Sequence, residues 1–91
     1  MFTVIIRKKI DGELKIVERH NSEGFDYVFK CAIKKTHYYD PEIKKWVAYH
    51  WVNGICPYEF SFFIDNHLLM GEELGSYLSA YNYEVKGGMT R

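Results

Sequence analysis

The N-terminal segment alternates apolar and polar residues on both sides of an Asp-Gly pair. Val4 and Ile6 fall on one side of an extended chain, and Ile16 continues this apolar side after the pair. Asp11 and Gly12 supply the two positive-φ residues that a tight hairpin turn needs. The pattern therefore predicts a β-hairpin with one apolar face, and it is the strongest structural signal in the chain.

Length and composition predict one soluble domain with its own core. The chain has 91 residues, of which 47% are hydrophobic and 18% aromatic, so a core can form without disulfides or a metal. Cys31 and Cys56 form no CxxC pair and lack zinc-finger spacing, so we expect two free thiols, no metal and no cofactor. No segment is long and apolar enough for a membrane span or a signal peptide, and a reduced, cytoplasmic protein is the expectation.

The segment that follows the first hairpin fits two structures. As a strand, it places Phe25, Phe29 and Ile33 on one face, whereas as a helix it adds Val28 and Ala32 to an equally regular stripe. The high aromatic content and the hairpin that comes next favour the strand. We therefore predict strands over 25–39 and 45–52, joined by a connection at 41–44.

The middle of the chain is rich in lysines and aromatic residues. Asp40 and Pro41 suit a type I turn, although the same residues could also begin a helix that ends at 53–54. The run of Trp, Val, Tyr and His that follows suits a sheet better than an exposed helix. Pairing around the connection at 41–44 places Tyr39 opposite Trp46 on the core-facing side, and Tyr38 lies on the other side.

The C-terminal third completes the predicted fold. Residues 59–64 form a strand, a turn at 65–66 leads into residues 67–70, and a helix begins near Gly71. Leu74 and Tyr77 begin the apolar stripe of this helix. The fold class is therefore α+β, with an antiparallel sheet of about four to six strands packed against one C-terminal helix. Residues 1–86 form the single domain, and 87–91 form a flexible tail.

Exposed Trp and Tyr beside lysines are typical of surfaces that bind another protein. We expect a non-enzymatic interaction module that blocks or regulates a protein partner, in the manner of the compact inhibitors that bacteriophages and mobile elements direct against host systems. A homodimer is compatible with the same surface, and no membrane partner is expected. The predicted contact residues are Tyr38, Tyr39, Trp46, Tyr49, Trp51, Lys34 and Lys45.

Two alternative functions use the same region. Stacking rings and lysines could bind single-stranded RNA or DNA, although 12 basic and 12 acidic residues leave no net charge to attract phosphates. Charge is nevertheless uneven, because residues 1–55 carry a balance of +3 and residues 56–91 a balance of −3. A metal-independent nuclease using His37 or His50 is a remote alternative, since no catalytic motif accompanies these histidines.

Overall fold

The computed structural model describes residues 1–91, apart from the side chain of Lys86, and within them shows two helices and seven strands. This α+β architecture confirms the predicted class. In chain order the elements are β1 (Phe2–Ile10), β2 (Glu13–Ser22), α1 (Phe25–Thr36), β3 (His37–Asp40), β4 (Lys45–His50), β5 (Tyr58–Ile64), β6 (His67–Leu68), α2 (Gly71–Leu78) and β7 (Tyr83–Thr90).

The main sheet contains four antiparallel strands in the order β2-β1-β5-β6. The turn between β1 and β2 has Asp11 at φ 51° and Gly12 at φ 82°, and the turn between β5 and β6 has Asp65 at φ 46° and Asn66 at φ 67°. Both predicted hairpins are confirmed, because positive φ at both central residues matches the right-handed twist of the strands.

The prediction of a strand beginning at residue 25 is wrong, because Phe25–Thr36 is the helix α1. A strand would have turned Val28 and Ala32 away from Phe25 and Phe29, whereas the helix buries all four side chains against the main sheet. Tyr27, which the strand would have turned inward, is 55% exposed. Tertiary packing decided between two local patterns of equal quality.

The core lies between one face of the main sheet and the two helices. Val4, Ile6 and Val28 are completely buried, and Phe62 of β5 packs beside them. The predicted C-terminal helix is present as α2, and its apolar stripe packs against this core through Leu74, Tyr77, Leu78 and Tyr81. Neither helix in the described part of the chain has the length and apolar character that crossing a membrane requires.

A second, small sheet has the strand order β3-β4-β7. The predicted register is confirmed, since His37 lies opposite Ala48 and Tyr39 opposite Trp46. β7 pairs with β4 in parallel, so the structure is not antiparallel throughout. Residues 87–91, for which the sequence predicts a flexible tail, instead continue β7 to Thr90, because β4 offers a free edge whose backbone groups need partners.

Two glycines allow β7 to lie close to β4. A Cβ on Gly87 would come within 2.8 Å of Nδ1 of His50, and a Cβ on Gly88 would meet the hydroxyl of Tyr38 and lie 3.1 Å from Val47 Cγ1. The ring of His50 therefore lies against Gly87 and the ring of Tyr38 against Gly88. Only glycine, which has no side chain, leaves room for a ring at these positions. The glycine pair that suggests a chain end in the sequence is part of the small sheet.

Candidate functional site

The predicted contact residues lie on opposite faces of the small sheet. Alternation along β3 and β4 puts Tyr39 and Trp46 on the inner face, where their rings meet edge to face at 5.5 Å and Trp46 packs against the core. Tyr38 and Tyr49 occupy the outer face, with ring centroids 5.4 Å apart. The five aromatic residues that the sequence predicts therefore do not form one surface.

An aromatic strip, which we define as Tyr38, Tyr49, Trp51 and Tyr58, leads from the outer face of the small sheet to Tyr58 of the main sheet, which packs against the core. Ring centroids are separated by 6.4 Å between Tyr49 and Trp51, and by 6.0 Å between Trp51 and Tyr58. All four residues are half-buried. The strip runs from β3 across β4 to the start of β5 and joins the small sheet to the main sheet.

Two cations lie against the strip. The guanidinium of Arg91 is 4.7 Å from the ring centroid of Tyr49, and the ammonium of Lys8 is 5.4 Å from that of Tyr58, distances typical of cation–π contacts. Arg91 Nη1 also donates to the carbonyl oxygens of Lys34 and Lys35, both at 3.3 Å. Among the described side chains, neither Arg91 nor Lys8 forms an ion pair.

Three residues at the strip, Tyr58, Lys8 and Arg91, are not among the contact residues that the sequence predicts. Arg91 belongs to the predicted tail and reaches Tyr49 only because its backbone N–H donates to the carbonyl of His50 at 2.6 Å. Tyr58 and Lys8 are neighbours across two strands that lie far apart in sequence. No sequence signal identifies these three residues, because the approach of the two sheets brings them together.

The predicted lysines differ in their surroundings. Lys34 is exposed at the C-terminal end of α1, where positive charge is favourable. Lys45 lies 3.4 Å from a carboxylate oxygen of Glu84. Lys35, close to both, pairs with Glu18, and its hydrogen bond is the main reason that the pKa of Glu18 lies below its usual value. Lys34 is therefore available to a partner, whereas Lys45 already has an acidic neighbour.

His37 is half-buried between α1 and β7. Its Nε2 lies 3.2 Å from the carbonyl oxygen of Glu84, which can only accept, so Nε2 carries the proton. Its Nδ1 then accepts from the hydroxyl of Thr36 at 2.8 Å. Burial lowers the pKa of His37, although the bond to Glu84 acts in the opposite direction. With both nitrogens engaged, His37 has no free site for a proton-transfer role.

Two cavities flank His37 and Tyr83, whose rings meet edge to face at 5.9 Å. The outer cavity, about 410 Å³, lies between the small sheet and the loop that contains Trp51 and Cys56. The inner cavity, about 190 Å³, lies between α1, β5 and α2. Thr36, His37 and Tyr83 line both, so the two cavities adjoin, and together we call them the cleft.

Away from the strip and the cleft, Glu18 pairs with His20 and Lys35. Within the described residues, no group of three or more His, Cys, Asp or Glu side chains is placed to hold a metal ion. The thiols of Cys31 and Cys56 are both free. Comparisons with protein-family models, with curated proteins and with solved structures find no match to this chain. The aromatic strip and the cleft are therefore the features of this protein that bear on its function.

Proposed function

We propose that this protein is a small, non-enzymatic interaction module that binds a protein partner through the aromatic strip and Arg91. The observation that supports this function is the unbroken line of four rings at centroid distances of 5.4 to 6.4 Å, with a guanidinium against it. Trp, Tyr and Arg are the residue types most enriched in binding hot spots. Strand pairing holds Tyr38 and Tyr49 in place before a partner arrives, which reduces the entropy cost of binding.

The charges beside the strip favour an acidic partner surface. Lys8 and Arg91 carry positive charge against the rings and Lys34 carries it at the end of α1, and among the described side chains the three have no ion-pair partner. A carboxylate on the partner would gain a charge-assisted contact with any of them. Net neutrality of the whole chain does not oppose such a contact, because the cations act locally.

Binding at this strip would block or regulate the partner. A chain of 91 residues with one aromatic surface is suited to covering a functional site on a larger protein. Compact inhibitors encoded by bacteriophages and mobile elements act in this way on host systems in the cytoplasm, and we propose the same kind of role here.

The test begins with capture of the partner by the tagged chain and continues with calorimetric titration of the purified pair. Trp51→Ala should weaken binding by about tenfold or more, since truncation of a hot-spot residue costs about 2 kcal/mol. Tyr39→Ala is the matched control, because Tyr39 belongs to the same hairpin and is 48% exposed, yet its ring contacts Trp46 and lies outside the strip. Equal losses for the two variants would contradict binding through the strip.

Single-stranded nucleic acid is a second candidate, and the cations over the rings favour it. Bases can stack on Tyr49 and Trp51 while Lys8 and Arg91 contact phosphates. Fluorescence anisotropy with a mixed-sequence oligonucleotide should then show an affinity that falls steeply as salt is added. An oligonucleotide that does not bind at low salt would exclude this function and leave the protein partner.

A further inference from the structure

The inner cavity has walls of almost purely apolar side chains. α1 contributes Phe29, Ala32 and Ile33, β5 contributes Phe60 and Phe62, and Leu78 of α2 completes the wall. Phe29, Ala32, Ile33 and Phe62 are themselves buried. The volume of about 190 Å³ is similar to that of an apolar cavity of roughly 150 Å³ that binds benzene, so a single aromatic ring fits by size.

The cleft offers nothing to a charged ligand. No lysine, arginine, aspartate or glutamate lines either cavity in the part of the chain that the structure describes. The polar atoms of Thr36 and His37 already bond to each other and to Glu84. A charged molecule would lose its hydration here without gaining a counter-charge, so the lining selects neutral molecules.

Hydrogen bonds join the start of β7 to β3 and β4 beside the cleft. The N–H of Trp46 donates to the carbonyl of Asn82 at 3.0 Å, and His37 bonds to the carbonyl of Glu84 at 3.2 Å. These bonds fix the start of β7, and with it Tyr83, at a set distance from α1. The backbone beside the cleft is therefore held by hydrogen bonds as well as by packing.

We propose that this cleft binds a neutral aromatic molecule of one or two rings, with one ring in the inner cavity and the remainder in the outer one. Tyr83 and His37 line both cavities, and their rings can make aromatic contacts with a ring of the ligand. Trp51 belongs both to the lining of the outer cavity and to the aromatic strip. No residue of the strip lines the inner cavity, so binding of a ligand there does not require a protein partner.

Methyl NMR of the intact chain tests the proposal, with indole as the probe and indole-3-acetate as its charged control. Indole should shift the methyl signals of Ala32, Ile33 and Leu78 in a saturable way, and the carboxylate analogue should bind at least about tenfold more weakly. Methyl signals of Ile16, which is 61% exposed, should not move. Unmoved cleft signals at the solubility limit of indole, or shifts spread evenly over exposed methyls, would overturn the proposal.

Filling the cleft provides a second, independent measurement. Ala32→Leu occupies the inner cavity and should weaken indole binding by about tenfold or more. Ala80→Leu is the matched control, since the same change is made at an exposed site. If Ala32→Leu does not fold, Ala48→Leu in the outer cavity serves instead. It should weaken the binding of indole, which has two fused rings, in the same way. Unchanged affinity in a folded filling variant would contradict binding in the cleft, whatever happens to the protein partner.

Discussion

The two sheets of this protein are stabilised in different ways. The main sheet buries Val4 and Ile6 completely under α1, and its core joins elements from both ends of the chain. The small sheet buries only Val47 among its described residues, at 6% exposure, and Val47 lies outside the main core. Glycine-to-ring contacts and a few hydrogen bonds hold β7 there instead. The aromatic strip and the cleft both involve this part of the molecule, which has the smaller core.

The largest expected effect comes from opening the main core. Ile6→Ala should lower the free energy of unfolding by about 2 to 5 kcal/mol, because a fully buried side chain leaves a cavity. Ile16→Ala is the matched control, since Ile16 is 61% exposed and should change stability by less than about 0.5 kcal/mol. Urea unfolding monitored by circular dichroism measures both. Similar losses for the two variants would show that the main core has been wrongly placed.

A smaller loss is expected when β7 is forced away from β4. Gly88→Ala introduces a Cβ that overlaps the hydroxyl of Tyr38 and lies 3.1 Å from Val47 Cγ1, and we expect a loss of about 1 to 3 kcal/mol. Hydrogen exchange should become faster in β7 while β1 stays protected, because only the small sheet loosens.

Two variants sharpen this test. Gly75→Ala in α2 is the matched control, since a Cβ there has nothing within 4 Å and should add up to about 1 kcal/mol of helix stability. Adding Tyr38→Phe to Gly88→Ala should recover part of the loss, because it removes the overlapping hydroxyl. Faster exchange in β1 as well would show that the two sheets unfold together.

The smallest effect concerns pH. The folded protein holds the pKa of His37 below its usual value of 6.5, so the unfolded chain binds more protons between the two pKa values. The free energy of unfolding should therefore fall as the pH drops below 6.5 and level off once the folded protein also protonates His37. Urea unfolding from about pH 7.5 to pH 5 should show a steeper fall in the wild type than in His37→Gln. Parallel profiles would contradict the burial of His37.

The hairpins and α2 could be predicted because their signals are local. Asp11–Gly12 and Asp65–Asn66 specify turns through their own backbone preferences, and the acidic residues after Gly71 favour a helix start. The pairing of Tyr39 with Trp46 followed from counting outward from the connection at 41–44. Each of these features involves residues close together in sequence.

The candidate site was predictable only in part. Tyr38, Tyr49 and Trp51 could be selected from composition, because aromatic residues beside lysines are typical of surfaces that bind another protein. Their contacts with Tyr58, Lys8 and Arg91, and the cleft around Tyr83, required the two sheets to be placed side by side. Contacts across such separations leave no periodic pattern in one sequence.

The sequence by itself determined the class of fold, the first hairpin, the register of β3 with β4 and the amphipathic face of α2. Only the tertiary structure decided that residues 25–36 are helical, that β7 continues to Thr90 and that the aromatic residues separate into inner and outer faces. The physical reason is that a helix at 25–36 covers Val4 and Ile6 with one continuous apolar stripe. That gain depends on a sheet built from distant residues, which local propensities do not include.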